Sequence, residues 1–361
     1  MPKASVPTNM LLRSTWTFKI KTNPSTGEIT KYKARFCVDG RRQIHNINYF
    51  ETYSPVVRWS SIRTCLTLSS LHNWATRAID FDQAYTQADV DADIYIHLPA
   101  GFQIPGPTSY VIKLIKNLYG LKQGGYNFYE KLKYELLRRD FIMSEVDPCI
   151  FYKKGIIVLT YVDDCLIFAQ DSSLVTDFYN SLQKDFNCTD EGEADGYLGV
   201  EIKKNNSTIT LKQPQLVKRA CLQLGLQDAN PKSTPIVKPL LHAFINGKER
   251  DPSAFHHRSA IGILSYLAGC TRPDMSMPVN QAAKYSNDPK AAHDTAVKRI
   301  GKRLLGTLGK GLEFKTDATK GLEVCVDADF AGACDSDASD DPTSVCSRTG
   351  FVIKHQNCPI L

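Results

Sequence analysis

No Cys-x-x-Cys pair occurs in this 361-residue chain, and its eleven cysteines, scattered from Cys37 to Cys358, are odd in number. That excludes a secreted disulfide framework and points to a reducing compartment, with most thiols in the core. His355 and Cys358 have a ligand-like spacing, and His256 and His257 are adjacent, but neither has a partner pair, so a zinc site is not expected. No apolar run approaches the roughly twenty residues of a membrane helix. Met1 to Met10 lacks a basic segment followed by an apolar core. The expectation is a soluble, intracellular protein with no membrane partner. Strong charge bias is missing too: 44 Lys and Arg stand against 38 Asp and Glu, a net +6. That mild excess permits phosphate binding without requiring it.

What is present is a pair of adjacent carboxylates, Asp163 and Asp164, in the run Tyr161-Val162-Asp163-Asp164 between the apolar stretches Ile156 to Thr160 and Cys165 to Ala169. Each flank is a strand's length of β-branched, aromatic and aliphatic residues, as in strands buried on both faces. Alone, an Asp-Asp dipeptide reads as a solvated turn. Carboxylates beside such a core are costly, and a hard divalent cation with oxygen ligands is the usual compensation. A third carboxylate shifts the balance: Ala78-Ile79-Asp80-Phe81-Asp82-Gln83-Ala84-Tyr85 is an apolar strand running into acids and then an aromatic. A strand ending in Asp80 beside the Asp163 hairpin would gather carboxylates from separate strands, as two-metal phosphoryl transfer needs.

Around these residues the chain resembles the reverse transcriptases of copia-type long-terminal-repeat retrotransposons. Tyr49 to Val57 (YFETYSPVV), the Asp80 segment, Leu118-Tyr119-Gly120-Leu121-Lys122-Gln123, the Tyr161 to Asp164 box and Thr271-Arg272-Pro273-Asp274 match that family's blocks in its order. The resemblance implies an α+β, right-hand polymerase fold with fingers, palm and thumb, the antiparallel palm sheet packed on helices. It implies that Asp80, Asp163 and Asp164 are catalytic and bind two Mg2+ ions during RNA-directed addition of deoxynucleotides to a primer 3′-hydroxyl. Partners would be an RNA or DNA template with primer and deoxynucleoside triphosphates. The location would be a cytoplasmic virus-like particle, or the nucleus; the oligomeric state stays open.

Along the chain, Trp16 to Ile20 and Thr30 to Val38 read as two strands joined by a turn at Asn23 to Gly27, which the family makes its fingers hairpin. Lys33 and Arg35 alternate outward on its second strand and are expected to meet the triphosphate or to be ordinary strand-face charge. They belong to a basic bunch with Lys19, Lys21, Lys31, Arg41 and Arg42; Lys298, Arg299, Lys302 and Arg303 form another. Each bunch is a solvated face or a salt-sensitive grip on nucleic acid. Ser60 is read as the cap of a helix packing on the palm sheet. Tyr85 resembles a steric gate that excludes a 2′-hydroxyl, and Asp82 a second carboxylate behind Asp80. By resemblance Gln123 lies against the nascent base pair, and Gly124-Gly125 lets nucleic acid approach the backbone. A helix is expected from Phe128 to Arg139, and another capped by Ser172 or Ser173.

Asp195 to Ile202, with Leu198 and Gly199 at its tip, resembles the hairpin that holds a primer terminus. Pro214 to Pro239 reads as a linker into the thumb, with helices from about Ser259 to Leu308. Val324 to Asp329 and Ser347 to Phe351 resemble the opening strands of a ribonuclease H domain. Asp327 matches one metal ligand of that domain, and a one-ligand centre cannot position two metals, so ribonuclease H activity is not expected. Asp335, Asp337, Asp340 and Asp341 read as a solvated loop. The expected domains are fingers and palm over 1–205, thumb and connection over 206–310, and a truncated ribonuclease H-like segment over 311–361. Departures from the family pattern are Tyr126 for an arginine, Asp39 for a basic residue, and Pro278 and Gly301 inside helices. They leave a second reading, an inactive nucleic-acid-binding remnant. A nucleotide cyclase, the third reading, does not account for the Leu118 to Gln123 and Thr271 to Asp274 blocks.

Overall fold

The apolar runs flanking the acidic pair form two antiparallel strands, Ile156–Tyr161 and Asp164–Ala169, in the computed structural model. It describes residues 1–22, 28–106, 109–205, 207–236, 241–243, 247–330 and 346–361. The expected turn at Asn23 to Gly27, the acidic residues Asp335 to Asp341 and Pro239 lie outside the described residues. The helices in chain order are α1 (Trp59–His72), α2 (Ala84–Gln87), α3 (Gly124–Arg138), α4 (Ser172–Leu182), α5 (Pro214–Gln223), α6 (His257–Cys270), α7 (Ser276–Lys284) and α8 (Ala291–Leu305). With strands they make an α+β protein, and the chain divides into two compact units: 1–57 with 75–193, and 58–74 with 194–361. The division differs from the boundaries expected at 205 and 310.

The first unit is built on a six-stranded sheet ordered Cys188–Gly192, Ala75–Phe81, Asp164–Ala169, Ile156–Tyr161, Ile150–Lys153 and Ile142–Met143, antiparallel throughout. Alternation sends Ile79, Phe81, Cys165 and Ile167 to one face, where they share a core with α3 and α4. Phe128, Leu132 and Leu136 of α3 meet them at the expected spacing of four. Each such fully buried side chain contributes about 1.5–3 kcal/mol. Leu166 and Phe168 point the other way and are buried as well. Burial on both faces is why this strand reads as a continuous apolar run rather than an alternating one. Helix α4 is capped by Asp171, whose carboxylate accepts from the Ser173 N–H at 2.8 Å; the expected caps, Ser172 and Ser173, are the helix's own first residues. Carboxylate acceptors suit the partly positive helix start.

The second unit corrects several expectations. Helix α1 belongs here and packs on the strands Thr208–Lys212 and Leu312–Lys315, not on the palm sheet. Arg58 precedes it without a side-chain cap bond, and Ser60 is already helical. Those strands sit in a four-stranded sheet ordered Gly196–Tyr197, Val200–Asn205, Thr208–Lys212, Leu312–Lys315. The expected linker opens as α5, with Pro214 at the first turn, where a missing N–H costs nothing. Helices α5 to α8 share a core that includes Val217, Leu264, Val279 and Val297. Pro278 falls in the first turn of α7, where the ring is tolerated. A Cβ on Gly301 of α8 would stand 2.5 Å from Leu226 Cδ1 and 2.8 Å from Leu224 Cδ1. Neither departure marks a broken helix. A three-stranded sheet, Leu322–Asp329, Arg348–His355 and Cys358–Pro359, carries Asp327 on an exposed strand.

Candidate active site

Antiparallel register brings the carboxylates together. Asp164 opens its strand directly opposite Asp80 on the neighbouring strand, and Asp163 occupies the turn before it. The strict two-residue period then puts Asp80 and Asp164 on the face opposite the helices, because Ile79, Phe81 and Cys165 point into the core. The turn is tight: Val162 adopts φ 53°, a left-handed conformation that costs a non-glycine residue about 1–3 kcal/mol. The Phe81 N–H, donating to the Asp163 carbonyl at 2.8 Å, ties the turn to the Asp80 strand.

Electrostatics records the crowding. Burial, reinforced by the charges of Asp163, Asp80 and Glu191, pushes the Asp164 carboxyl up to about 6. Glu191 lies at a bulge in the strand that flanks Asp80 on its other side; the sequence reading missed it because only the bulge tells where it falls. Asp82 is exposed and lies 3.4 Å from the Thr189 hydroxyl, which can donate to it. As a donor set for a metal, the three aspartates supply only hard oxygens and repel one another, which suits a divalent cation. Among the described residues no three Asp, Glu, His or Cys side chains close around a common cation position. Register therefore gathers the carboxylates without forming a finished cage.

Two tyrosine phenols feel the charge of these carboxylates. Tyr85, the second residue of α2, has its ring centroid 5.2 Å from that of Tyr119. Burial, then the Asp163 charge and Tyr119, raises its phenol. The guanidinium of Arg35 lies over the Tyr119 ring, 5.0 Å from its centroid. Arg35 and Lys33 both sit on the second strand of a two-stranded ribbon, Ser14–Thr22 with Ile29–Val38, where Arg35 faces Thr17 and Lys33 faces Lys19. Tyr119 was not singled out from the sequence, where it is one of sixteen tyrosines.

Gln123 does not present its amide to the site. The side chain is 0% exposed; its Nε2 donates to the Asn48 carbonyl at 2.8 Å and to Asp91 Oδ1 at 3.2 Å, and its Oε1 accepts from Gln43 Nε2 at 2.9 Å. All its visible donors and acceptors hold loops together, so base contact is corrected to a structural role. Helix α3 starts at Gly124 rather than near Phe128, and its glycines are packed: a Cβ on Gly124 would touch the Tyr85 ring at 3.6 Å, one on Gly125 Ser54 at 3.5 Å. Leu198 and Gly199 form the positive-φ tip of the Gly196–Tyr197 and Val200–Asn205 hairpin in the second unit, and Tyr266 donates to the Leu198 carbonyl. The described cysteines are mostly buried. No helix among the described residues is long and apolar enough to cross a membrane.

An antiparallel sheet packed on helices, with Asp164 opposite Asp80 on the next strand, is an α+β arrangement consistent with a polymerase fold. Residues 4–238 match the family Reverse transcriptase (RNA-dependent DNA polymerase), and the chain belongs to that family, in its copia-type branch. It is 33% identical over 350 residues to the retrovirus-related Pol polyprotein from transposon RE1 of Arabidopsis thaliana, covering 96% of this chain and 23% of that one. It is 32% identical over 349 residues to the corresponding polyprotein from transposon TNT 1-94 of Nicotiana tabacum, covering 93% and 26%. The chain thus spans about a quarter of these relatives' length. A solved foamy viral protease-reverse transcriptase in complex with double-stranded DNA overlaps 95% of this chain and 50% of that one at 11% identity, with a TM-score of 0.45.

Proposed function

We propose that this chain catalyses RNA-directed DNA synthesis, adding deoxynucleotides to a primer 3′-hydroxyl. The observation that carries the reading is the register pairing of Asp80 with Asp164 beside Asp163, with Asp164 pushed up to about 6 by burial and by its acidic neighbours. At pH 7 such a site holds crowded negative charge, which a bound cation relieves. Asp80, Asp163 and Asp164 would hold two magnesium ions, which supply charge neutralisation for the attacking and leaving oxygens. The chain's own residues do the rest. Arg35 and Lys33 attract the triphosphate, and the Tyr85 ring fills the volume a 2′-hydroxyl would need. Leu198 and Gly199 are proposed to meet the primer. The setting is a cytoplasmic virus-like particle or the nucleus.

The deciding experiment is primer extension by the purified protein on an RNA template with magnesium, alongside measured binding to the same primer-template. Extension supports the reading. Binding without extension leaves the inactive nucleic-acid-binding remnant in its place.

The metal reading also fixes a pH dependence. Asp164 has its folded value raised above the usual carboxylate range, to about 6. The folded state therefore binds more protons than the unfolded chain between roughly pH 4 and pH 6, so stability falls as pH rises through that window. Magnesium at the carboxylates opposes this loss. The expected result is a magnesium-induced rise in melting temperature that is large at pH 7 and nearly absent at pH 4.5. An equal rise at both values would remove the carboxylates from the metal site.

A further inference from the structure

We propose that Tyr119 is a positioning residue for the incoming nucleotide: its ring is at once the platform that holds the Arg35 guanidinium in the site and the backstop that sets Tyr85. This rests on the polymerase reading above and deepens it. The three side chains form a continuous pile, with the Arg35 guanidinium 5.0 Å from the Tyr119 centroid and the Tyr119 ring 5.2 Å from that of Tyr85 at 53°. Behind Tyr85 lies Gly124, the first residue of α3, where an added Cβ would meet the ring at 3.6 Å, an ordinary contact.

The pile is set by backbone, not by side-chain preference alone. The Val38 N–H, at the root of the ribbon that carries Arg35, donates to the Tyr119 carbonyl at 2.8 Å. Gly120, next in the chain, has φ 94°, and a Cβ there would stand 2.1 Å from the Val38 carbonyl oxygen. A Cβ on Gly40 would stand 2.0 Å from the Gly120 carbonyl oxygen. Two approaches open only to glycine therefore clamp the Tyr119 loop against the strand end that places Arg35.

The guanidinium is held in an unfinished state. Arg35 Nε is buried and has no hydrogen-bond partner among the described residues. A buried donor left unmade is costly, and here the π-face of Tyr119 takes the place of a carboxylate. The Tyr119 phenol oxygen is also within hydrogen-bonding reach of the guanidinium, so ring and hydroxyl together hold a cation that no carboxylate among the described residues has claimed and that a phosphate oxygen suits. A carboxylate partner would have satisfied the same cation and withdrawn it from a triphosphate. An arginine shelved on a ring keeps its full charge for a phosphate.

The test compares wild type, Tyr119→Phe and Tyr119→Leu in two measurements. One is the equilibrium affinity of magnesium-dNTP for the protein on a chain-terminated primer-template; the other is single-nucleotide incorporation from dNTP and from rNTP. Removing the ring in Tyr119→Leu is expected to weaken dNTP binding about ten-fold, the scale of a partly desolvated cation–π contact. It should lower the preference for dNTP over rNTP by a similar factor while kcat for dNTP changes by less than about three-fold. Tyr119→Phe, which keeps the ring and loses only the hydroxyl near Arg35, should fall between wild type and Leu in both. Because loss of the ring also risks the fold, a double-mutant cycle accompanies it: with Arg35→Gln in place, which removes the cation, losing the ring should weaken dNTP binding no further. Wild-type affinity and discrimination in Tyr119→Leu, or a Phe variant as impaired as Leu, or additive effects in the cycle, would overturn the proposal while leaving the polymerase reading intact. A wild-type protein that neither binds nor incorporates dNTP overturns the polymerase reading itself, and the role of Tyr119 with it.

Discussion

Asp164→Asn is expected to reduce primer extension by about a thousand-fold or more, and to leave the melting temperature in metal-free buffer equal to or above that of wild type. The first half follows from charge. A cation at the site stabilises the transition state by several kcal/mol, and each 1.36 kcal/mol is about ten-fold in rate. The amide keeps the carboxylate's shape and loses its charge. The second half follows from the same electrostatics with the opposite sign. Asp164 stands opposite Asp80 on the adjacent strand and next to Asp163, and its ionised form is disfavoured first by burial, then by Asp163, Asp80 and Glu191. At pH 7 the wild-type protein carries that unfavourable charge, and asparagine removes it. Activity and stability moving in opposite directions is the signature of a site kept strained for function. Extension within ten-fold of wild type would remove Asp164 from the metal site. A large fall in melting temperature would show instead that the carboxylate holds the hairpin together.

The two halves of this site differed in how well the sequence revealed them. The aspartates were legible because strands obey a period of two and the acids stand at the ends of apolar runs; the pairing of Asp80 with Asp164 then needed only neighbouring strands. Helix α3 was legible for the same kind of reason, its apolar spacing of four surviving in Phe128, Leu132 and Leu136. The helix start was misplaced because two glycines weigh against helix locally, although the helix begins at the first of them. Helix α1 showed its buried face in sequence but not its partner, since an apolar stripe does not say which sheet covers it. Gln123 was misassigned for a related reason. An amide can serve a ligand or a buried network equally well, and only three-dimensional placement shows that Gln43, Asn48 and Asp91 already engage it. Arg35 and Tyr119 lie far apart in the chain and meet through backbone approaches at Gly40 and Gly120, which leave no periodic trace.

The Thr271 to Asp274 block carried family resemblance as strongly as the aspartates did, and its role is of another kind. Arg272 is 1% exposed, one of the largest fully buried side chains in the protein. Its Nε and Nη2 grip both oxygens of Asp274 at 2.9 and 2.8 Å, while Nη1 and Nη2 donate to the Thr307 carbonyl and hydroxyl at 3.2 and 2.9 Å. One guanidinium thus ties the turn after α6 to the chain just beyond α8. Burial raises the Asp274 carboxyl, but the hydrogen bond and charge of Arg272 outweigh it, so the group ends below its usual value. Arg272→Met is therefore expected to destabilise the second unit by roughly 3–5 kcal/mol, the cost of breaking a buried ion pair by removing one partner. Asp274 is partly exposed and can recover some hydration, which favours the lower end of that range. Asp274→Asn in the Arg272→Met background should cost little more, because the two residues act as one unit. Thermal and urea denaturation measure both. The resulting loss of extension should be recovered largely at low temperature, where a larger fraction of the variant is folded, whereas Asp164→Asn should stay inactive at every temperature. Persistent inactivity of a fully folded Arg272→Met protein would instead move this arginine from the scaffold to the chemistry.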